Sequence, residues 1–370
     1  MKRVRFLMVG GFLGAGKTTA LARLARHYMG QGKRVALVTN DQAQGLVDTQ
    51  SLRAQGFDVG EVSGACFCCK FDDLVSIVQQ LDAEHRPDII LAEPVGSCTD
   101  LLSTVVEPLR QLHADTYETG PLAVLLKPEH GQKILAEQPG VGFSPKAAYI
   151  FLKQLEEADI VVLNKVDKLA PAEVEQLLAL VRERFPGKTV LAGSMRQGMG
   201  LDQLIDALDH GQSTATSPEV DYDIYAAGEA ELGWLNATFA LTPTVGAKPF
   251  ALDALLVDLV GKLEQALVAA GGEPAHLKIL GQADGATAIA NLVASAADVE
   301  LSVTSGATVT QAELSVNARV AMAPEDLTEV VRAGVEQAAR ELGLATEIRG
   351  LQSFRPGRPV PTHRLPVGAA

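Results

Sequence analysis

The stretch that decides the fold lies near the amino terminus of this chain of 370 residues and reads Gly11-Phe12-Leu13-Gly14-Ala15-Gly16-Lys17-Thr18. It fits the pattern G-x-x-x-x-G-K-[ST], follows an apolar run and precedes a helical pattern. Glycines let a backbone curl so that its N–H groups point inward, where they neutralise phosphate charge together with the positive end of the next helix. The stretch therefore predicts a phosphate-binding loop between a first strand and a first helix.

The roles expected within this loop follow from the chemistry of a nucleoside triphosphate. Lys17 would reach the β- and γ-phosphates, the Thr18 hydroxyl would ligate Mg²⁺, and Thr19 would donate to the α-phosphate. The remaining nucleotide contacts are assigned to the backbone of Gly11, Gly14, Ala15 and Gly16.

Apolar runs alternate with helical patterns through residues 1–210 and predict the fold class. Such alternation is typical of an α/β protein with a doubly wound, mostly parallel sheet, here a P-loop NTPase fold. Ligands of such sheets bind at the carboxyl ends of the strands, where the phosphate loop lies. The predicted strands are residues 5–9, 34–39, 89–92, 122–126, 160–163 and 189–191, and the predicted helices are residues 17–29, 72–81, 101–112, 145–157, 171–185 and 201–209.

A second motif, Asn-Lys-Val-Asp at residues 164–167, follows another predicted strand. The Asp167 carboxylate can accept two hydrogen bonds from N1 and N2 of guanine, and adenine lacks both donors. Asn164 is expected to brace the loop and contact the purine N7 edge, while Lys165 lies along the base plane. Ser194, after the next strand, is a candidate backbone donor to the guanine O6. With the phosphate loop, the motif predicts a site for GTP and GDP.

Hydrolysis also needs an acid beside Mg²⁺, and two strand ends offer one. Asp41 follows the second predicted strand, and Glu93 begins a Glu-x-x-Gly motif after the third. Either could hold Mg²⁺ directly or through water, and Gly96 could offer its N–H to the γ-phosphate. Both acids could instead be helix caps or loop residues. The candidate catalytic residues are thus Lys17, Glu93 and Asp41.

Three thiols fall within four residues, Cys66-Phe67-Cys68-Cys69. Thiolates are soft ligands for Zn²⁺, Co²⁺ and Cu⁺, and Cys66 and Cys68 can aim at one ion from an extended segment. Three side chains leave an open site that suits transfer of an ion. Cys66, Cys68 and Cys69 are therefore candidate ligands of a transition metal. Cys98 is either a fourth sulfur or a small packed residue.

Composition narrows the class of protein. A hydrophobic fraction of 47% indicates a folded chain, and a net charge of -13 argues against nucleic acid or an anionic membrane as the main partner. No apolar run reaches the roughly 18 residues of a membrane span, and the amino terminus lacks a signal-peptide cleavage site. We therefore expect a cytoplasmic protein without a membrane partner.

The sequence predicts four parts. They are a P-loop GTPase domain with the cysteine motif (1–210), a linker (211–231), a second α+β domain (232–354) and an extended, proline-rich tail (355–370). The second domain contains two β-α-β patterns in series, which is the order of a ferredoxin-like sandwich.

Taken together, the motifs resemble those of the CobW-type metallochaperone GTPases, relatives of the urease and hydrogenase nickel-insertion GTPases and of the nitrile hydratase activators. The resemblance rests on the glycine loop, the three-cysteine motif, the Glu-x-x-Gly motif from Glu93 and the Asn-Lys-x-Asp motif from Asn164, in that order. It implies a slow, Mg²⁺-dependent GTPase. It also implies a transition metal, Zn²⁺ or Co²⁺, that is bound at the cysteines and delivered, as metal or metal cofactor, to a client protein.

The chain also departs from the family. Ala65 stands where Gly is usual, the loop after the second strand reads Asn-Asp-Gln-Ala-Gln-Gly, and no histidine-rich tract occurs. We therefore expect a divergent subgroup whose client is a metalloprotein or a corrinoid-dependent protein, with a cobalamin-related cofactor among the candidate cargoes. A homodimer is a further candidate assembly. The alternatives are a metal-binding storage or regulatory protein whose GTP site only gates metal affinity, a plain GTPase with structural cysteines, and a P-loop kinase.

Overall fold

The computed structural model describes residues 3–41, 47–135, 144–211, 213–292 and 299–365. The strands are β1 (Val4–Gly11), β2 (Val35–Asp41), β3 (Val59–Ser63), β4 (Ile89–Glu93), β5 (Tyr117–Thr119), β6 (Ala123–Leu126), β7 (Ile160–Leu163), β8 (Thr189–Ala192), β9 (Gly233–Pro243), β10 (Phe250–Ala251), β11 (Glu273–Ala283), β12 (Ala286–Leu292), β13 (Glu300–Val303), β14 (Thr308–Val309), β15 (Ala312–Ala321) and β16 (Leu344–Phe354).

The helices are α1 (Lys17–Gly30), α2 (Val47–Ala54), α3 (Phe71–His85), α4 (Glu107–Leu112), α5 (Pro128–His130), α6 (Pro145–Glu157), α7 (Pro171–Arg184), α8 (Leu201–His210), α9 (Tyr222–Glu229), α10 (Leu252–Ala269) and α11 (Pro324–Glu341). A π-helical segment, Leu102–Val106, leads into α4, and a second, Gly131–Leu135, follows α5. No helix in these described ranges is long and apolar enough to cross a membrane.

The chain forms two compact units, each with one segment that is distant in sequence. The first comprises Met1–Gln42, Gly56–Gly228 and Arg358–Ala370, and the second comprises Ala43–Gln55 and Glu229–Gly357. Residues 358–365 therefore return to the first unit, and α2 belongs to the second.

The first unit is built on a parallel sheet in the order β3-β2-β4-β1-β6-β7-β8, and β5 also pairs with β1. Every residue of β4 and of β7 is buried, as expected for strands that are covered on both faces. The predicted α/β fold class is confirmed. Because all these strands run in one direction, the carboxyl ends of β1, β2, β4 and β7 lie at the same edge of the sheet.

The second unit contains an antiparallel sheet in the order β13-β12-β11-β15-β9-β16. Four of these strands, in the order β11-β15-β9-β16, combine with α10 and α11 to give the ferredoxin-like arrangement that the sequence predicts. The hairpin β12–β13 extends the sheet beyond β11. Leucine and valine side chains of both helices join one apolar cluster with β9, β11 and β15. Helix α2 adds Val47 to a smaller cluster with Leu280 and Ile289.

A buried acid, Glu157, lies at the end of α6. Glu157 is fully buried, and it accepts hydrogen bonds of 3.0 Å from the Thr99 hydroxyl and from the Leu102 backbone N–H. Burial raises the pKa of Glu157 to about 8, because a carboxylate loses its hydration in an apolar interior. The protonated form therefore dominates at pH 7 and ties α6 to the segment after β4.

Glu157 predicts a pH dependence of stability. The folded state keeps this proton up to a pH of about 8, whereas the unfolded chain releases it near the ordinary pKa of 4.5. The stability that this group contributes is thus fully present below a pH of 4.5 and is lost as the pH rises through 8. The unfolding free energy of the native chain should therefore fall by up to about 1.4 kcal/mol per pH unit, and Glu157→Gln should abolish this fall. Urea unfolding at several pH values measures the decline.

The exposed neighbour Glu156 offers a matched control, since Glu156→Gln should leave the pH profile of the native chain unchanged. Equal slopes for the native chain and Glu157→Gln between about pH 5 and pH 8 would contradict a proton held at this position.

Candidate nucleotide and metal site

The phosphate loop connects β1 to α1 and adopts conformations that favour glycine. Gly11, Gly14 and Gly16 have φ angles of 135°, 72° and 96°. A Cβ added at Gly11 would lie 2.3 Å from the carbonyl oxygen of Leu125, and one at Gly16 would lie 2.5 Å from Nδ2 of Asn164. Neither position leaves room for a side chain, and φ angles in this range are strained for other residues. The loop therefore depends on its glycines.

The first residues of α1 contact the end of β4. The Lys17 Nζ atom lies 3.9 Å from Oε1 of Glu93, and the Thr18 hydroxyl donates to the same oxygen at 3.2 Å. Glu93 and Lys17 are both buried, and Thr19 is exposed on the first turn of the helix. Of the two candidate acids, Glu93 contacts both loop residues. Asp41 ends β2, which pairs with β4 and so lies at the same edge of the sheet.

Gly96 lies against the phosphate loop. A Cβ added there would be 2.8 Å from Cδ2 of Leu13 and 3.1 Å from Nζ of Lys17. The buried Gln154 side chain donates through Nε2 to the Gly96 carbonyl at 3.0 Å and to the Cys98 carbonyl at 2.8 Å. The segment after β4 is thus held between α6 and the phosphate loop.

The Asn-Lys-x-Asp motif begins directly after β7 and is joined to the phosphate loop. The Asn164 side chain donates through Nδ2 to the Ala15 carbonyl at 2.7 Å and accepts through Oδ1 from the Met195 backbone N–H at 2.9 Å. One buried amide therefore links the phosphate loop, the end of β7 and the loop after β8. The geometry agrees with the bracing role expected of Asn164.

Lys165 and Asp167 are less buried than Asn164, whereas Ser194 is buried. Lys165 adopts a left-handed conformation with a φ of 62°, and Asp167 is exposed, with the Gln197 amide donating to its Oδ2 at 3.4 Å. The backbone N–H of Ser194 donates to the Met199 carbonyl at 2.9 Å. In this structure that N–H is therefore engaged within the protein and does not point to a free acceptor position.

A buried lysine lies beside this motif, and sequence reasoning gave it no role. Lys127 directly follows β6 and is 1% exposed. Its pKa is lowered to about 7, chiefly by burial and also by the positive charge of Lys165, against the opposing effect of Glu129. The position of Lys127 after an apolar strand was the sequence signal that could have identified it.

The three thiols of the cysteine motif lie close together. The Sγ–Sγ distances are 2.8 Å for Cys66 and Cys68, 3.3 Å for Cys66 and Cys69, and 3.7 Å for Cys68 and Cys69. A tetrahedral zinc site has Zn–S bonds of about 2.3 Å, which place its sulfurs about 3.8 Å apart. The donor set therefore fits a soft divalent ion, provided that Cys66 and Cys68 separate by about 1 Å. All three cysteines are free, and only Cys69 is partly exposed.

Asn40, the residue before Asp41, holds the cysteine loop in place. Its Nδ2 donates to the carbonyls of Val62 at 2.9 Å and Ala65 at 2.8 Å, and its Oδ1 accepts from the backbone N–H of Phe67 at 2.8 Å. The end of β2 is thus joined to the loop that carries the thiols. Sequence analysis considered this stretch only as a source of an acid for Mg²⁺.

Cys98 joins the thiol cluster. It is fully buried, and its side chain hydrogen-bonds that of Cys66. Hydrogen bonds from Cys68, Cys69 and Cys98 hold the pKa of the Cys66 thiol well below its ordinary value. The same contacts with Cys66 raise the pKa of Cys68, and raise that of Cys69 to about 11. Cys66 is therefore the sulfur best prepared to act as a thiolate, the form that binds metals.

Comparison with known proteins places this site in a family. The family model described as "CobW/HypB/UreG, nucleotide-binding domain" matches residues 5–192. The chain is 24% identical over 257 residues to a protein named zinc chaperone CobW from Sinorhizobium sp, covering 61% of this chain and 72% of that protein. It is 26% identical over 229 residues to a Pseudomonas aeruginosa protein of the same name, covering 54% of this chain and 58% of that protein.

A third relative is named zinc chaperone YeiR, from Escherichia coli. It is 30% identical over 178 residues, which cover 46% of this chain and 49% of that protein. The chain thus spans between 49% and 72% of the length of these relatives. The family match covers more than half of the chain and includes the glycine loop, the thiols, Glu93 and the Asn-Lys-x-Asp motif. The chain therefore belongs to the CobW/HypB/UreG family of nucleotide-binding proteins.

Proposed function

We propose that this protein is a GTPase that binds a transition metal ion at Cys66, Cys68 and Cys69 and passes it, as metal or metal cofactor, to a client protein. The proposal rests on the contacts that residues 93–98 make with both parts of the site. This segment contacts Lys17 and Thr18 of the phosphate loop through Glu93, and contacts the thiol cluster through Cys98.

The nucleotide half of the proposal assigns a role to each part of the loop. The loop N–H groups and Lys17 would hold the phosphates of GTP, and Asp167 would select guanine by accepting from N1 and N2. Mg²⁺, when bound, would neutralise charge on the β- and γ-phosphates, and Thr18 with Glu93 would hold it. Asp41 remains the second candidate for that role, and turnover without a client is expected to be slow.

The metal half of the proposal treats the ion as cargo. The thiolate of Cys66 would make the first bond, and binding would then release the protons of Cys68 and Cys69, because metal-bound sulfur is deprotonated. Soft thiolate donors favour Zn²⁺ or Co²⁺ over harder ions. The names of the relatives, zinc chaperone, support Zn²⁺ as the first candidate.

Coupling between the two halves follows from short covalent and hydrogen-bonded links. Gly96 lies against Lys17, only two residues before Cys98, and the Gln154 amide bonds both of their carbonyls. A γ-phosphate that displaced Gly96 would therefore also move Cys98 relative to Cys66. A metalloprotein or corrinoid-dependent client and a homodimeric assembly belong to the same proposal. No observation favours the storage or kinase alternatives over delivery.

The first prediction concerns base selection. Asp167→Asn should weaken GDP binding by about tenfold to a hundredfold, because a charged acceptor of two hydrogen bonds is lost. The variant should gain affinity for XDP, since the new amide can donate to the carbonyl that replaces the guanine amine. Fluorescence titration with labelled nucleotides measures both, and exposed Asp202→Asn is the control. Equal displacement of GTP by ATP in the native chain would show that the base assignment is wrong.

The second prediction concerns the coupling. The Co²⁺ thiolate charge-transfer band should report different ion affinities for nucleotide-free protein, the GDP complex and the complex with a non-hydrolysable GTP analogue. Cys98→Ser should retain nucleotide binding but reduce the difference between these states, because the link from Gly96 to Cys66 is lost.

The double variant Cys66→Ser, Cys68→Ser sets the baseline for that titration, since it removes the buried ligands and should lose the band. Identical ion affinities in all three nucleotide states of the native chain would leave a GTPase with a metal site but without coupled delivery. An unchanged band in the double variant would place the ion elsewhere.

A further inference from the structure

The end of the described chain runs along the cysteine motif. We call residues 358–365 the C-terminal strap. The Val360 backbone N–H donates to Sγ of Cys69 at 3.3 Å, and the Thr362 N–H donates to the Cys68 carbonyl at 2.8 Å. The Thr362 hydroxyl donates to the Cys69 carbonyl at 3.2 Å. The strap therefore lies directly on the two cysteines that follow Phe67.

An ion pair anchors the carboxyl end of the strap. The Arg364 Nε atom lies 2.7 Å from Oδ2 of Asp100, which is fully buried, and Nη2 donates to the Pro218 carbonyl at 3.2 Å. The Leu365 N–H donates to the Ser103 carbonyl at 2.9 Å. A buried carboxylate is costly without a positive partner, and here the partner comes from the strap. Asp100 is thus a buried acid that binds the arginine of the strap.

Two further side chains of the strap, Arg358 and His363, also make contacts. Arg358 pairs with Asp223 at 2.7 Å and lies over the Tyr222 ring, 5.8 Å from its centroid. The His363 ring meets the Phe71 ring edge to face at a centroid distance of 5.2 Å. These contacts extend over the whole length of the strap.

The prolines of the strap are spaced so that the residues between and after them can donate hydrogen bonds to the cysteine motif. Pro359 and Pro361 have no N–H, and proline fixes φ in the extended range. The N–H groups between and after them, on Val360 and Thr362, are the ones that contact the cysteine motif. Extended peptides are recognised in other complexes through main-chain hydrogen bonds, and proline-rich peptides bind as preformed extended segments. A tail that only covered apolar surface would not need this spacing.

We propose that the surface formed by Cys68, Cys69, Ser103 and Asp100 is a docking groove for an extended, proline-spaced segment that carries an arginine. The strap is its occupant within the chain, and a client segment of the same chemistry displaces the strap when the thiols are to be reached. Only the identity of that displacing partner rests on the proposed function.

If the strap occupies the groove, its release should set the rate at which the thiols react. A tethered strap competes at a high effective concentration, so Cys69, whose Sγ atom accepts a hydrogen bond from the strap, should react faster when the strap is released. In the full chain without metal or nucleotide, Arg364→Ala should raise the rate at which Cys69 reacts with a disulfide reagent by about tenfold or more, because a charge-assisted contact is lost. Mass mapping of the modified peptide identifies the cysteine.

Three further variants make this test specific. Arg364→Lys should keep the rate near that of the native chain, and Arg349→Ala, which loses an exposed ion pair with Glu313, should not change it. Arg358→Ala supplies a second, independent weakening of the strap should Arg364→Ala fail to fold. Binding of labelled GDP reports on folding in each variant.

A synthetic peptide with the sequence of residues 357–365 tests the groove itself. Added to Arg364→Ala protein, it should slow the reaction of Cys69 again, whereas a scrambled peptide and a peptide with Arg364→Ala should not. An unchanged rate in Arg364→Ala, or no protection by the peptide at millimolar concentration, would overturn the proposal. Neither measurement uses GTP or a metal ion, so the outcome is independent of whether delivery occurs.

Discussion

The close approach of Gly96 to Lys17 is the constraint on which the proposed mechanism depends. A Cβ at this position would lie 2.8 Å from Cδ2 of Leu13 and 3.1 Å from Nζ of Lys17, so any larger residue would force these side chains to shift. The same loop continues to Cys98, whose thiol meets Cys66. The proposed phosphate site and the proposed metal site are thus joined by a few residues of backbone.

The scaffold that makes this approach possible is the parallel sheet. Strands β1, β2 and β4 are neighbours, so the residues that follow them meet at one edge. Three buried amides hold these loops: Asn40 holds the cysteine loop, Asn164 holds the phosphate loop, and Gln154 holds the segment after β4. Buried amides keep such loops in a single arrangement, because any other arrangement would leave their polar atoms unsatisfied.

Much of the fold could be predicted from local pattern. The predicted strand 160–163 and helix 145–157 coincide with β7 and α6; the strand is a continuous apolar run, and the helix begins with a Ser144 cap followed by proline. Residues 101–112 were predicted as one regular helix, yet the structure contains a π-helical segment there. Strand β3 and helix α2 were missed, since each is short and α2 is stabilised by contacts with β11 and β12, more than two hundred residues later.

The sequence by itself determined which chemical groups are present and which local conformations carry them: the glycines of the phosphate loop, the carboxylate of Asp167 and the three adjacent thiols. Only the tertiary structure decided that Cys98 meets Cys66, that Asn40 holds the cysteine loop, and that Arg364 reaches Asp100. The physical reason is distance along the chain. Spacing and periodicity report on residues within a few turns of one another, whereas these contacts depend on which strands become neighbours and where the chain returns.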